Sequence, residues 1–184
     1  MNKKLSEMTL EELWQLFPII LTEHDPRWKE FYREETDYLK SILPQGAEFL
    51  HIGSTAIDGI MAKPIVDILT VVSSEKQMRE FAKILQRHDY LIMSTSKNRI
   101  SLNKGYTENG FAERVFHIHL RLKGDVDEIY FKDYLNAHPD VAEEHEKLKL
   151  SLWKKYEHNR DAYTDAKTEF VKKYTRLAKQ NNTR

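Results

Sequence analysis

The chain has 184 residues, of which 40% are hydrophobic and 32% charged, so it is long enough for one globular domain with its own core. Its 29 basic side chains match 29 acidic ones, which argues against a nucleic-acid partner, because coating nucleic acid needs a basic surplus. Without cysteine it has no disulfide and no thiolate site. No apolar run is long enough for a membrane span or a signal segment, so we expect a cytoplasmic protein with no membrane partner.

The first half of the chain is predicted to alternate helices and strands. Thr9 and Glu12 form a capping box before the first helix. Asp25 caps the second helix, with Pro26 at its first position. The β-branched run over residues 65–72 is predicted to be the central strand. In chain order we expect helices over residues 10–17, 26–43 and 75–87, and strands over residues 48–52 and 65–72.

The second half is predicted to begin with strands and end in helices. Strands over residues 90–95, 99–102 and 114–122 should form a meander, and Asn109-Gly110 marks a turn or loop between two of them. After Gly124 we expect helices beginning near Val126, at Pro139 and near Asp161. With no repeat, linker or change in composition, the whole chain, residues 1–184, is predicted to be one α+β domain whose C-terminal half is helical.

Gly53-Ser54-Thr55 is the strongest candidate for a phosphate-binding turn. Glycine allows close backbone approach, so such a turn can aim amide groups and two hydroxyls at an anion; the alternative is a plain tight turn before a strand. Lys63, held near Pro64, could neutralise the phosphate or be a solvated loop lysine. The P-loop, the dinucleotide-binding glycine motif and the serine-hydrolase elbow are all absent from the sequence.

Two further cations are candidates for the same anion. Arg114 opens the strand over residues 114–122 and could make bidentate phosphate contacts; an ion pair with Glu113 or Asp125 is the alternative. Lys167 lies one helical turn after Tyr163, so both could face one ligand. The apolar stripe around Tyr163 favours packing for that residue and leaves the role of Lys167 open.

Asp67, His117 and His119 form a candidate metal site. An acid inside the apolar run over residues 65–72 is costly to bury unless it is paired or binds a metal. His117 and His119 are two residues apart, so both imidazoles point to one face of their strand. One carboxylate and two imidazoles suit zinc, manganese or iron. The alternative is an incidental pair of histidines.

The segment from His51 to Val72 resembles the signature of the GrpB family, a branch of the nucleotidyltransferase fold superfamily. The resemblance runs from about Pro18 to Ala178. Four other stretches carry it: His24-Asp25-Pro26-Arg27-Trp28, Arg114 to Leu120, Tyr134 to Pro139, and Tyr163 to Lys167.

The resemblance implies an α+β, nucleotidyltransferase-like fold with a mixed or antiparallel sheet flanked by helices. That superfamily has Gly-Ser, then an acid-x-acid pair that binds two divalent cations, and a third acid on a neighbouring strand. Gly53-Ser54 and Asp67 match this pattern, but Leu69 occupies the position of the second acid. The third acid of the superfamily comes from a neighbouring strand, and the resemblance therefore implies that His117 and His119 belong to the candidate site. Because Leu69 cannot coordinate a metal, we predict one tight metal site.

These observations predict a protein that binds a nucleotide or phosphorylated metabolite together with a divalent metal (Mg, Mn or Zn). If it is an enzyme, it would be a metal-dependent nucleotidyltransferase that passes a nucleotidyl or phosphoryl group to a small molecule, with Asp67, His117 and His119 as catalytic residues. Two alternatives stay open because of Leu69. One is a non-catalytic nucleotide-binding module, and the other is a single-metal hydrolase built on the same three residues.

Overall fold

The computed structural model describes residues 3–182, and its elements follow the order expected from the sequence. The helices are α1 (Leu10–Leu16), α2 (Arg27–Ile42), α3 (Glu75–Gln86), α4 (Asp127–Ala137), α5 (Pro139–Trp153), α6 (Arg160–Asp165) and α7 (Thr168–Asn182). The strands are β1 (Glu48–Ile52), β2 (Val66–Val72), β3 (Leu91–Thr95), β4 (Arg99–Thr107) and β5 (Gly110–Leu122).

The capping box predicted at the first helix is confirmed. Thr9 Oγ1 accepts a hydrogen bond from the Glu12 amide at 3.2 Å, and Glu12 Oε2 accepts one from the Thr9 amide at 2.7 Å. At the second helix the N-cap is Pro26, one residue after the predicted Asp25, and the helix begins at Arg27. Asp25 Oδ1 nevertheless accepts from the Arg27 amide at 2.9 Å, so the carboxylate satisfies a donor that the helix itself leaves unpaired.

The strands form one mixed sheet in the order β1-β2-β5-β4-β3. β1 and β2 are antiparallel, β2 and β5 are parallel, and β5, β4 and β3 form the expected antiparallel meander. The α+β fold, with a sheet flanked by helices and a helical C-terminal half, is therefore confirmed. The parallel register sets Asp67 opposite His117 and Leu69 opposite His119, which places these four side chains on one face of the sheet.

Three elements differ from the prediction. β5 begins at Gly110, so Arg114 lies within this strand and does not open it. β4 continues to Thr107, so Tyr106 belongs to a strand rather than to a loop. Thr107 pairs with Gly110 in a tight hairpin, and glycine suits the positive φ of 101° there. The helix expected from about residue 161 is two helices, α6 and α7. They meet at Lys167, whose amide hydrogen-bonds to the Thr164 carbonyl at 3.2 Å, a tighter turn than the α-helix makes.

The sheet separates two apolar regions. On one face the side chains of β2, β4 and β5 pack against α2 and α3 in the main core. On the other face Leu69 packs with Ile52 and Val71, while α4, α5 and α7 contribute a second cluster. Asp67, His117 and His119 lie on this second face, which the helices of the C-terminal half cover. No helix within residues 3–182 is long and apolar enough to cross a bilayer.

Candidate functional site

The turn after β1 packs directly against the Asp67 carboxylate. Gly53 has a φ of 73°, and a Cβ at this position would lie 2.6 Å from Asp67 Oδ2. Any larger residue would therefore displace the carboxylate. The following 3₁₀ turn, Ser54–Ala56, is braced by a 3.0 Å hydrogen bond between His51 Nε2 and Thr55 Oγ1. His51 thus supports the turn through a hydroxyl.

Asp67, His117 and His119 form a tight cluster. His119 Nε2 lies 2.8 Å from Asp67 Oδ1, and His117 Nδ1 lies 3.3 Å from the same oxygen. One ligand atom from each residue lies within 4.8 Å of the other two. A carboxylate oxygen and two imidazole nitrogens at this spacing are a donor set that zinc or manganese accepts.

The far side of the His117 ring faces two hydrogen-bonding groups. Tyr106 Oη lies 2.9 Å from His117 Nε2, and an Arg160 guanidinium nitrogen lies 3.2 Å from it. Arg160 also donates a 2.8 Å hydrogen bond to Tyr106 Oη. A guanidinium has no acceptor, so Nε2 must accept and the ring hydrogen must sit on Nδ1, which faces Asp67.

The environment fixes the charge of this cluster. Burial lowers the pKa of His117 to about 4, although the nearby carboxylate of Asp67 opposes the shift. Burial alone would raise the pKa of Asp67, but hydrogen bonds from His117 and His119 outweigh it and hold that pKa well below its usual range. At neutral pH His117 is neutral and Asp67 is ionised, which are the forms that bind a metal.

The cluster opens into a cavity of about 310 Å³ with a cationic lining. Lys63, Lys149, Arg160 and Lys167 line it, and among residues 3–182 Asp67 is the one acidic side chain that does. Burial lowers the pKa of Lys63 and of Lys149 to about 7 and that of Lys167 to about 8. At neutral pH Lys63 and Lys149 are therefore about half protonated, and a bound anion would favour their charged forms, which makes the cavity a natural site for an anion.

Specific contacts hold the three lysines in place. Lys149, only 2% exposed, donates a hydrogen bond from Nζ to the Met61 carbonyl, which ties α5 to the loop that carries Lys63. The ring of Tyr163 is fully buried, and its centroid lies 5.7 Å from Lys63 Nζ and 4.1 Å from Lys167 Nζ. Both contacts are within the range of a cation–π interaction.

Most of the candidate residues meet in this cavity. Its lining includes Gly53, Ser54, Thr55, Lys63, Asp67, His117, His119 and Lys167. Arg114 lies outside it, where its guanidinium pairs with Glu34 and lies 4.3 Å from the ring centroid of Phe31. Neither ion-pair partner expected for Arg114 is used, and one of them, Asp125, pairs instead with Arg99.

Three residues of the site were missed from sequence. Tyr106 lies in a stretch that the sequence predicts to be a loop, and Arg160 belongs to no recognisable motif. Lys149 did leave a signal, because it lies four residues after His145 on the buried stripe of α5 and therefore faces inward. His145 itself is a core residue: it is 4% exposed and packs against the rings of Phe131 and Phe170.

Comparison with known proteins decides the family. A family model described as GrpB protein matches residues 18–177. The chain belongs to the GrpB family. It is 34% identical to the glutamate-rich protein GrpB of Alkalihalophilus pseudofirmus over 160 residues, which cover 83% of this chain and 91% of that protein.

Solved structures extend the comparison. The crystal structure of GrpB from Enterococcus faecalis superposes with a TM-score of 0.78 at 27% identity, covering 90% of this chain and all of that one. A Cid1 poly(U) polymerase structure gives a TM-score of 0.47 at 14% identity, covering 77% of this chain and 43% of that chain. The second likeness is too weak to assign an activity, so the function of this GrpB chain must be argued from its site.

Proposed function

We propose that this protein binds a nucleotide or phosphorylated metabolite together with one divalent metal ion, and transfers a nucleotidyl or phosphoryl group to a small molecule. The observation that carries the proposal is the placement of the Asp67, His117 and His119 cluster at the wall of a cavity lined by four cations. A metal-capable cluster and an anion site in one cavity match the needs of phosphate chemistry.

Each part of the cavity has a distinct role in the proposal. The phosphate lies against the turn of Gly53, Ser54 and Thr55, where the backbone can approach it closely. Lys63 and Lys167, which both lie near the Tyr163 ring, neutralise its charge. Arg114 has no part in this, because it lies outside the cavity and is already paired with Glu34.

Asp67, His117 and His119 would hold the metal, which when bound supplies a Lewis acid for a phosphate oxygen. Leu69, in the position of a second acid, is fully buried against Ile52 and Val71. A second cation therefore has no carboxylate at that point. This supports single-metal chemistry over a two-metal clamp.

Leu69 in the position of the second acid also favours one alternative function, that of a single-metal hydrolase. The two activities differ in their need for an acceptor. A hydrolase releases phosphate from a nucleoside triphosphate in water alone, whereas a transferase turns over only when a suitable acceptor is added. Incubation with ATP and Mn²⁺, with and without a panel of small hydroxyl compounds, distinguishes them by chromatography of the products.

Binding is tested first, by thermal shift and calorimetry with nucleoside triphosphates, with and without Mn²⁺. A ligand of the native state raises the melting temperature by mass action. We expect Ser54→Ala to weaken binding by about 1–3 kcal/mol, the range for losing one hydrogen bond to a charged group. Lys63→Gln should also weaken it, because the phosphate loses a positive charge that faces it in the cavity.

Lys76→Gln is the matched control, since Lys76 is exposed on α3 and does not line the cavity. It should bind as the parent does. If folded Ser54→Ala and Lys63→Gln proteins bind every responsive nucleotide as tightly as the parent, the phosphate assignment is wrong. If no phosphorylated ligand stabilises the parent, with or without metal, the proposed function itself is contradicted.

A further inference from the structure

A second cavity, of about 810 Å³, adjoins the first. It continues along β5 past His119 to Arg121, between the sheet and helices α4 and α7. The two cavities share the lining residues Gly53, Asp67, His119, Thr164 and Lys167. The Asp67–His119 pair can therefore be approached from either cavity, an arrangement that suits two different molecules meeting at one cluster.

Arg121 is a buried cationic residue in the lining of this cavity. It is only 6% exposed, and its Nε has no hydrogen-bond partner among residues 3–182. One guanidinium nitrogen donates to the Leu120 carbonyl at 3.0 Å, and another lies 3.8 Å from Glu128, at the outer limit of an ion pair. A buried cation with an unmet donor is costly, and an anion in the cavity would remove that cost.

The rest of the lining suits an anion with an apolar part. Arg176, exposed on α7, makes no ion pair with any residue in 3–182, whereas Asp127 is already paired with Lys179. Cationic side chains outnumber carboxylates around the cavity. Ile52, Phe131 and Val171 add apolar surface between the charged groups.

We propose that the second cavity binds a small molecule bearing a phosphate or carboxylate, held by Arg121 and Arg176. Its role as the acceptor site rests on the proposed function. In that role, an acceptor hydroxyl oxygen bonds to phosphorus, the bond from phosphorus to the departing phosphate oxygen breaks, and the hydroxyl proton passes to water. The oxyanion of the acceptor stays with Arg121.

The test uses tungstate, a tetrahedral dianion that mimics phosphate and scatters X-rays anomalously. Crystals of the full chain soaked in tungstate should show one ion beside Lys63 and another beside Arg121. Equilibrium dialysis should give two ions per chain for the parent. Arg121→Gln should lose only the second ion, and Arg176→Gln should weaken that ion several-fold.

Lys173→Gln is the matched control, because Lys173 lies on α7 like Arg176 but does not line the cavity. It should bind both ions as the parent does. If Arg121→Gln does not fold, as judged by circular dichroism, Arg176→Gln decides the matter. Unchanged binding of the second ion in Arg176→Gln would then overturn the proposal.

The remaining outcomes separate the two proposals. Tungstate beside Lys63 alone overturns the second site and leaves the proposed function standing. Tungstate beside Arg121 alone supports the second site and contradicts the phosphate turn, and no tungstate at either place contradicts both. Competition with orthophosphate and with succinate, each against tungstate at the Arg121 site, tells whether the site prefers a phosphate or a carboxylate.

Discussion

Arg160 and His117 are in contact, with a guanidinium nitrogen 3.2 Å from His117 Nε2. Because Arg160 can only donate, it fixes the ring hydrogen of His117 on Nδ1, the nitrogen that faces Asp67. A metal ion bound through Nδ1 needs the opposite tautomer, with the hydrogen on Nε2. Metal binding through Nδ1 therefore requires Arg160 to withdraw from His117 Nε2, so this contact lowers the affinity of the cluster for a metal ion.

Removal of Arg160 is expected to tighten metal binding. In Arg160→Met the ring hydrogen of His117 can move to Nε2, which then donates a hydrogen bond to Tyr106 Oη. The variant also lacks the positive charge that repels a metal cation. We expect Zn²⁺ to bind about tenfold more tightly, which corresponds to about 1.4 kcal/mol. Isothermal titration calorimetry measures the change. Arg79→Met, on the exposed side of α3, should leave the affinity unaltered, and the idea fails if Arg160→Met does the same.

Gly53→Ala should abolish metal binding. The new Cβ would lie 2.6 Å from Asp67 Oδ2 and would push the carboxylate away from His119. Gly59→Ala is a close control: Gly59 also has a positive φ, of 77°, but a Cβ there meets nothing within 4 Å. Both variants should lose stability through backbone strain, since both replace glycine at positive φ. Equal metal affinities in the two variants, by calorimetry, would contradict a direct effect on Asp67.

The number of metal ions is expected to be one per chain. Asp67 is the only carboxylate in the cluster, and the fully buried Leu69 cannot coordinate a second ion. Titration with Mn²⁺ should give a stoichiometry near one for the parent and no tight binding for Asp67→Asn. Asp58→Asn, which changes an exposed carboxylate, should keep the single site. Two tight sites in the parent would refute the argument from Leu69.

His145 should make the fold sensitive to acid. Burial lowers its pKa to about 2, while in the unfolded chain it is about 6.5. Below pH 6.5 the unfolded chain therefore binds a proton that the folded protein does not, and the free energy of unfolding falls as the pH falls.

Replacement of His145 tests its effect on the pH dependence of the free energy of unfolding. At pH 5 the loss attributable to His145 is about 2 kcal/mol relative to pH 7. Urea denaturation of His145→Leu at both pH values should show a correspondingly smaller difference than the parent shows. His158→Leu, at an exposed position, should keep the difference of the parent. If the His145→Leu protein loses as much stability as the parent between pH 7 and 5, this origin of acid sensitivity is wrong.

The sequence predicts the part of the site that depends on the alternation of side chains between the two faces of a strand. His117 and His119 share a face because they are two residues apart, and the apolar run around Asp67 marks a central strand. Arg160 and Lys149 reach the cavity only because the helical half packs over the sheet, a contact that local periodicity does not encode. In the same way, the pairing of Arg114 with Glu34 joins residues 80 positions apart.

The two kinds of group in the first cavity come mostly from different parts of the chain. Asp67, His117 and His119 all project from β2 and β5, whereas three of the four basic side chains, Lys149, Arg160 and Lys167, come from α5 to the start of α7. The fourth, Lys63, lies in the loop before β2. The positions of the metal-binding atoms are thus fixed by the register of the hydrogen-bonded strands. The positive charge that selects an anion depends mainly on how the helices pack. Related chains can therefore diverge in the helices to recognise a different anion while inheriting the same coordination chemistry from the sheet.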